Sequence, residues 1–226
     1  MRRFSVALLM ILVCAGTLGA QRRGRAYSPN AGVWVSGGIA GFTATGVNDG
    51  RSGSSWNFGN SYNWQYRASL EKSIDNGSSF GVSGSWSRVP FVYSAFALPA
   101  TGSACGVQPC DAHLDMMALL GTFHFGAGQG FHQVIELNGG IVSYTNLKRD
   151  VDGAELPPSG NIDPLFSFGY GVGYGFSNRT QIDFVPDYAI ALHERTGLSN
   201  GVSNTNSMRS LRVTLRMGFG GPTGRR

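Results

Sequence analysis

Three residues in the C-terminal quarter of the chain carry side chains that acid–base catalysis uses. Asp183, Asp187 and His193 lie close together in a stretch of alternating apolar and polar residues. A carboxylate near an imidazole can accept or donate a proton in a reaction. Carboxylates on one face of a strand also form ion pairs with arginines of the next strand, and we expect this structural role here. No glycine-rich phosphate loop or His/Cys metal spacing stands out, so we predict no catalytic, cofactor-binding or metal-binding residue.

The last apolar stretch supplies candidate partners for these carboxylates. Arg212 and Arg216 alternate there with large apolar residues. Asp183 with Arg216 and Asp187 with Arg212 have equal index sums, so one antiparallel register would place each carboxylate beside an arginine. The alternative is that each of these charges meets water separately.

These stretches belong to a repeated pattern of extended strands. Between Phe166 and Phe176, large apolar residues at even positions alternate with glycine or serine at odd positions. Lipid outside and a narrow interior inside explain both faces, whereas a strand of a soluble core normally carries charged residues toward water. We therefore predict an all-β fold, an antiparallel up-and-down transmembrane β-barrel of eight strands with short periplasmic turns and long extracellular loops. A soluble lipocalin-like cup is the alternative.

The predicted strands are joined by short and long connections in strict alternation, as in outer-membrane barrels. The strands are Gly32–Phe42, Ser61–Ser73, Ser78–Arg88, Ala112–Phe125, His132–Thr145, Pro164–Phe176, Thr180–His193 and Ser207–Phe219. The short connections are Ile74–Gly77, Gly126–Phe131 and Ser177–Arg179. The long connections are Thr43–Asn60, Val89–Asp111, Asn146–Asp163 and Glu194–Asn206.

Residue parity supports two of the hairpins. The apolar rows of the second and third strands lie at even positions, such as Leu70 and Val82. Such rows meet only across a connection of odd length, and Asp75–Gly77 supplies three residues with glycine last. The sixth and seventh strands require an odd connection for the same reason, and Ser177–Arg179 supplies it.

Three strands are less regular. In the first strand Val33, Val35 and Ile39 are expected outward, with Trp34 either inside or in an interfacial girdle. The fourth strand has two equally apolar rows, so its faces stay open. Pro186 interrupts the seventh strand, and we expect a local bulge there because proline cannot donate to a ladder.

Inside a barrel, the polar faces of these strands line the lumen. We predict a lumen charge network that fills the barrel without opening a pore. Its members are Arg67, Glu71, Glu136, Asp183, Asp187, Arg212 and Arg216.

The beginning of the chain has the order of a secretory signal peptide, with Arg2 and Arg3 before a short apolar stretch and then small residues. We predict a signal peptide at 1–20, an N-terminal periplasmic segment at 21–31, the barrel at 32–219 and a C-terminal tail at 220–226. Without Arg2 and Arg3 the chain keeps 18 − 2 = 16 basic residues against 13 acidic ones, which is not the charge of a nucleic-acid-binding protein.

Cys105 and Cys110 remain after signal removal and lie in the second long loop. Secreted chains pass through an oxidising compartment, so we predict a disulfide between them. Cys14 raises the alternative of a lipoprotein, but Val13 directly before it fits a lipidation site poorly.

The pattern and length resemble the small eight-stranded outer-membrane barrel superfamily, which includes the OmpA membrane domain and OmpX. The strand Ser210–Phe219 looks like the terminal strand that the family's assembly machinery recognises, although GGPTGRR follows it here. The resemblance implies outer-membrane localisation, contact with outer-membrane lipid and assembly by that machinery. Some members are lipid A-modifying enzymes, and one deacylase type uses a His-x-Ser pair. Serine does not occur two residues after any of the four histidines, His113, His124, His132 and His193.

We therefore expect an integral outer-membrane protein with a structural or surface-interaction role and no turnover. A lipid A-modifying enzyme and a narrow channel are the rival hypotheses. The long loops carry Trp56, Phe58, Phe91, Tyr93 and Phe96 among Gly, Ser and Asn, a composition suited to contact surfaces for partners. Hydrophilic capping of the barrel mouth is the simpler alternative for these loops.

Overall fold

The computed structural model describes residues 31–59, 62–74, 77–95, 105, 108–157, 161–200, 202 and 204–220. The predicted signal peptide, residues 21–30 of the predicted N-terminal segment and the tail beyond Gly220 lie outside these residues. Within the described residues no helix is long and apolar enough to cross a membrane.

The described chain forms ten strands. They are β1 (Val33–Ala44), β2 (Val47–Asp49), β3 (Ser54–Asn57), β4 (Asn63–Ser73), β5 (Ser78–Ala95), β6 (Cys110–Phe125), β7 (Gly130–Arg149), β8 (Asn161–Ser177), β9 (Thr180–Leu192) and β10 (Thr205–Phe219). Eight of them, all but β2 and β3, pair antiparallel in chain order, and β10 pairs back with β1. The predicted fold class is therefore confirmed: the chain is a closed antiparallel eight-stranded barrel.

The two ends of the barrel differ. Short connections between β4 and β5, β6 and β7, and β8 and β9 lie at one end, which we call the turn end, together with the start of β1 and the end of β10. The opposite end, the loop end, carries the longer connections. There β2 and β3 form a hairpin that continues the sheet from β5.

Side chains alternate between an apolar exterior and a filled interior. On β8 the even-numbered residues Phe166 to Phe176 are exposed, while the glycines between them face inward. A Cβ at Gly173 would collide with the side chains of His132 and Asp183, which would have to move to admit a larger residue there. This arrangement, apolar outside and polar inside, is that of a barrel embedded in lipid.

The structure shows which faces of the first and fourth predicted strands point outward. Val33, Val35 and Ile39 face outward as predicted, and Trp34 is buried in the lumen. On β6, Met117, Leu119, Phe123 and Phe125 are exposed, and Leu114, Met116 and Leu120 are buried.

The predicted bulge at Pro186 is wrong. Pro186 pairs with Leu211, and the register of β9 with β10 is unbroken on either side. The β8–β9 ladder keeps one register on both sides of Pro186, with Gly169 opposite Asp187 and Val172 opposite Phe184. Between these two pairs the β8–β9 ladder has no pairing, so Pro186 does not have to donate a hydrogen bond to β8. Its ring faces outward.

The strands also extend further toward the loop end than predicted. β5 continues to Ala95, β6 begins at Cys110 and β7 continues to Arg149. Both ends of the predicted loops Val89–Asp111 and Asn146–Asp163 are therefore strand. Their inward apolar residues pack in a buried core.

Candidate functional site

The lumen near the turn end contains a network of buried charges, which we call the turn-end network. Arg212 of β10 lies at its centre, and its guanidinium contacts Glu136 of β7. Arg212 Nη1 is also 3.8 Å from Asp187 Oδ2 on β9. Arg67 of β4 lies 3.6 Å from Glu136 and donates a 2.7 Å hydrogen bond to Asn138 Oδ1. Four strands are thus connected across the lumen.

A second cluster lies closer to the turn end. Arg216 Nη2 is 2.6 Å from Glu71 Oε2, and both side chains are almost fully buried. Glu71 also accepts 2.6 Å hydrogen bonds from Ser69 and Ser79. The guanidinium of Arg216 lies 5.0 Å from the ring centroid of Trp34, a favourable cation–π distance. The charges of Arg216 and Glu71 therefore compensate each other despite their burial.

The predicted register between the seventh and eighth strands is wrong by two residues. Asp187 pairs with Ser210 and Asp183 with Thr214, so neither carboxylate lies directly opposite an arginine. Arg212 still reaches Asp187 diagonally, but Arg216 binds Glu71 instead of Asp183. Asp183 Oδ1 instead lies 3.9 Å from His132 Nε2, and Gln181 donates hydrogen bonds to both carboxylate oxygens of Asp183. Residues with equal index sums pair with one another only in one register, and the connection between the two strands has to select that register. The 193–204 connection is long enough to allow either register.

His124 also belongs to this network, although the sequence pattern did not predict it. His124 Nδ1 lies 3.2 Å from Glu136 Oε1, and the ring is buried. Its position opposite Glu136 follows from the pairing of β6 with β7. The sequence contains this histidine on a predicted strand, but both rows of that strand are equally apolar. Its inward orientation could therefore not be predicted.

A small cavity lies between the turn-end network and the apolar residues above it. Its volume is about 40 Å³, and its lining includes Arg67, Asp187 and Arg212 together with Leu120 and Met208. This volume holds a few water molecules at most. It is too small for a continuous aqueous path.

The loop half of the lumen is filled by an apolar cluster, the loop-end core. Trp56 of β3 lies at its centre, with ring centroids 5.7 Å from Tyr144 and 6.4 Å from Phe91. Trp56, Phe58, Phe91 and Tyr93 are all buried. These aromatic residues therefore pack inside the barrel and are not available as contact surfaces, and Phe96 lies outside the described residues.

Two buried aspartates and one histidine fasten the loop-end core. His193 Nδ1 is 2.8 Å from Asp163 Oδ2 on β8, and Nε2 is 3.6 Å from Asp49 Oδ1 on β2. The histidine ring also packs edge-on against Trp56 at 5.3 Å. Asp49 in turn accepts a hydrogen bond from the backbone N–H of Ser52, which shapes the β2–β3 turn.

These contacts determine the protonation of the cluster. Burial alone would lower the pKa of His193, but its hydrogen bonds to Asp163 and Asp49 raise the pKa to about 9. Burial raises the pKa of Asp49, and the hydrogen bonds from His193 and Ser52 outweigh that effect and lower it to about 2. His193 is therefore a buried cation between two carboxylates at neutral pH.

The candidate acid–base residues of the sequence do not meet. His193 lies with Asp49 and Asp163 in the loop-end core, whereas Asp183 and Asp187 lie in the lumen below it. Among the described residues, no group of three or more His, Cys, Asp or Glu side chains is arranged to hold a metal ion.

Cys105 and Cys110 lie at the loop end, where β6 begins. Their Cα atoms are 5.7 Å apart, a separation within the range for a disulfide. The bridge itself stays a prediction.

The structure is similar to several solved β-barrel structures. No protein-family model matches the chain, and no curated protein does. Among solved structures, Neisserial surface protein A is 16% identical, with 84% of this chain and 98% of that chain covered and a TM-score of 0.46. Ail, the attachment invasion locus protein of Yersinia pestis, is 13% identical, with 83% and 99% covered and a TM-score of 0.43. The N-terminal β-barrel domain of Pseudomonas aeruginosa OprF is 14% identical, with 80% and 97% covered and a TM-score of 0.38.

Proposed function

We propose that this chain, an eight-stranded barrel of the outer membrane, is a closed protein that presents a rigid surface to the outside and catalyses no reaction. In the proposed orientation the turn end faces the periplasm and the loop end faces outward, as in other barrels with short turns and long loops. Its role is then structural or one of surface contact, with barrel-assembly machinery as the partner during insertion.

The observation that carries this proposal is that the lumen is sealed twice. The turn-end network and the Arg216–Glu71 pair join strands across the periplasmic half of the interior. The loop-end core fills the other half with aromatic side chains. The cavity that lies between them, lined by Arg67, Asp187 and Arg212 among others, has a volume of about 40 Å³. A channel for ions needs a continuous polar path, and the apolar core interrupts it.

The outer tip of the β7–β8 connection supports a surface role. Arg149 forms an ion pair with Asp152, and its backbone N–H donates to Ala154 O. This tight turn holds Val151 with 87% of its surface exposed. An apolar side chain on a fixed, charged turn is suited to contact another molecule.

Conductance in planar bilayers tests the closed lumen. We expect no discrete steps from the wild type, from Trp56→Ala or from the double variant Glu136→Gln with Arg212→Gln, because one seal remains in each. Conductance of the wild type would favour the narrow-channel hypothesis and refute the proposal.

Lipid A mass spectrometry tests the absence of turnover. Expression of the protein should leave the lipid A mass unchanged, whereas any new species dependent on the protein would favour the enzyme hypothesis. Protease or thiol labelling of intact cells tests the orientation, since the 150–154 tip should react and the 178–179 turn should not.

Replacement of residues 150–153 by a short Asn-Gly turn separates the two remaining roles. In a deletion strain, a purely structural role should be restored by this variant as well as by the wild type, measured as resistance to a hydrophobic dye. A surface-contact role should be restored by the wild type alone, measured as adhesion or aggregation of cells.

A further inference from the structure

Arg88 is a charged residue on the outside of the barrel, a position where charges are uncommon in lipid-facing strands. It lies on β5 in the same outward row as Phe80, Val82 and Trp86. Its side chain is 58% exposed. A lipid-facing guanidinium at this position calls for a polar partner in the membrane or at its surface.

The height of Arg88 places it at the membrane boundary. Ser78 pairs with Phe125 at the turn end, and ten residues further along the same ladder Arg88 pairs with Asp115. Ten residues at about 3.3 Å each, tilted by about 40°, rise about 25 Å. This is about the height of the apolar band of an outer-membrane barrel, so Arg88 lies where acyl chains give way to headgroups.

The guanidinium is held in place by a buried carboxylate. Arg88 Nε lies 3.0 Å from Asp115 Oδ1, and Arg88 Nη2 lies 3.3 Å from Oδ2. The side chain of Asp115 is only 6% exposed. Because the carboxylate lies beneath the guanidinium, the positive group is outermost. Arg88 Nη1 has no hydrogen-bond partner within the described part of the chain.

Asp115 is fixed in turn by Asn146. Asn146 Nδ2 donates a 2.7 Å hydrogen bond to Asp115 Oδ2, at the point where the register of β6 with β7 shifts. Among the described residues, Asn146 is the one non-glycine residue with a positive φ, at 54°. Asparagine tolerates this left-handed conformation better than most residues. Three strands therefore contribute to a single pre-organised arginine.

The surface directly below Arg88 is apolar. Trp86 and Met117 pair across β5 and β6 and are both exposed. The patch thus has apolar side chains toward the membrane centre and unused guanidinium N–H groups at its edge. This order matches an amphiphile with acyl chains and an anionic headgroup, and a guanidinium binds phosphate through charge-assisted hydrogen bonds.

We propose that Arg88, positioned by Asp115 and Asn146, binds the phosphate of a phosphorylated glycolipid in the outer leaflet. The choice of leaflet rests on the orientation given above. The binding itself does not, because it can be measured on the detergent-folded protein, so a failure of either idea is distinguishable from a failure of the other.

The chain offers a matched control. Arg209 is also exposed and outward, and it lies ten residues from Phe219 at the turn end of β10, at the same height as Arg88. No ion pair to Arg209 is formed within the described residues. The two arginines therefore share charge, height and exposure and differ in whether a buried carboxylate holds them.

The experiment measures lipid A binding to the folded protein in detergent, by native mass spectrometry. Arg88→Gln should weaken binding about tenfold, the scale of one charge-assisted hydrogen bond. Arg209→Gln should change it less than about twofold, as expected for an exposed, unanchored charge. Lipid A treated with phosphatase should bind the wild type as weakly as intact lipid A binds Arg88→Gln.

Equal losses in the two arginine variants would overturn the proposal, because binding would then reflect general charge. Equal binding of phosphatidylglycerol would overturn the assignment to a glycolipid. Heat-dependent gel migration verifies the fold of each variant. If Arg88→Gln does not fold, Arg88→Lys keeps the charge but loses the two-pronged anchor on Asp115, and it should also bind lipid A more weakly than Arg209→Lys does.

Discussion

The two halves of the lumen are filled by different chemistry. Toward the turn end, arginines bind carboxylates from three other strands, as Arg212 does with Glu136 and Asp187. Toward the loop end, Trp56 and its neighbours pack as the core of a soluble protein does. The same barrel wall therefore surrounds a polar interior toward the turn end and an apolar interior toward the loop end.

The difference follows from what surrounds each half. Where the exterior faces lipid, the apolar side chains must point outward, so the inward positions are left for polar groups that pair with one another. Beyond the lipid, the strands are surrounded by water and can turn apolar residues inward. The change from one rule to the other occurs near Leu120 and Met208, beside the central cavity.

The largest effect is expected for the turn-end network. Arg212→Ala removes a guanidinium that contacts Glu136 and lies 3.8 Å from Asp187. Two buried carboxylates each lose a partner, which should lower the free energy of unfolding by about 3–5 kcal/mol. Urea unfolding of the detergent-folded protein measures this. Arg209→Ala, three residues away on the lipid-facing side of the same strand, is the control and should cost about 1 kcal/mol or less.

A double-mutant cycle sharpens this prediction. Because Glu136 contacts Arg212 directly and Asp187 is 3.8 Å away, the coupling energy of Arg212 with Glu136→Gln should exceed that with Asp187→Asn. A stronger coupling to Asp187 would restore the register predicted from the sequence and contradict the observed one.

The next effect concerns the loop-end core. Trp56→Ala should destabilise the loop end by about 3–5 kcal/mol, because it empties the centre of a packed aromatic cluster. The membrane barrel below should stay folded. We therefore expect unchanged heat-dependent gel migration but faster tryptic cleavage at Arg51 in the β2–β3 hairpin. Trp64→Ala, at an exposed position on β4, is the control and should leave cleavage at Arg51 unchanged.

The sequence predicted the membrane half of the molecule better than the loop half. Alternation is a strong signal where one face meets lipid and the other meets a narrow lumen, as on β8. The rows at Leu70 and Val82 were matched by parity alone, and these two residues are paired in the structure. Inward positions of charges such as Arg212 and Glu136 follow from the same alternation.

The loop half was less predictable because its rule is reversed. Phe91 and Tyr93 occur in a segment rich in turn-forming residues, and the alternation there has apolar residues inside. Without the membrane pattern, such a segment reads as a loop. His193, Asp49 and Asp163 come from three distant segments, so only the folded topology reveals that they meet.

A third prediction uses outward-facing residues to locate the boundary between the lipid-embedded half of the barrel and the loop half. Tyr170 and Ile162 lie in the same outward row of β8, and Ile162 is nearer the loop end. Tyr170→Arg should cost about 2–4 kcal/mol because it places a charge near the bilayer midplane. Ile162→Arg should cost about 1 kcal/mol or less. Equal costs, measured by urea unfolding in lipid vesicles, would mean that the loop-end core lies within the membrane.

The smallest effect expected is a pH dependence confined to the loop end. The pKa of His193 is raised to about 9 by its two aspartates, whereas an unfolded histidine titrates near pH 6.5. The folded loop end therefore binds this proton more tightly than the unfolded chain does. The resulting stability is complete below about pH 6.5 and is lost as the pH rises through about 9. For Asp49, with its pKa lowered to about 2 from 3.8, the stability is complete above the unfolded value and is lost as the pH falls through about 2.

Loop-end stability should thus fall by roughly 1.5 kcal/mol between about pH 6.5 and pH 8, read as an increased rate of tryptic cleavage at Arg51 after correction for the pH dependence of the protease. His193→Gln keeps a hydrogen-bonding side chain but cannot gain the charge. The rate of tryptic cleavage of this variant should therefore depend less on pH over this range. The turn-end network contains no contact to His193, so Arg212→Ala should leave the slope of the profile as it is in the wild type. If His193→Gln retained the wild-type profile, the buried cation between Asp49 and Asp163 would not be what fastens the hairpin to the barrel.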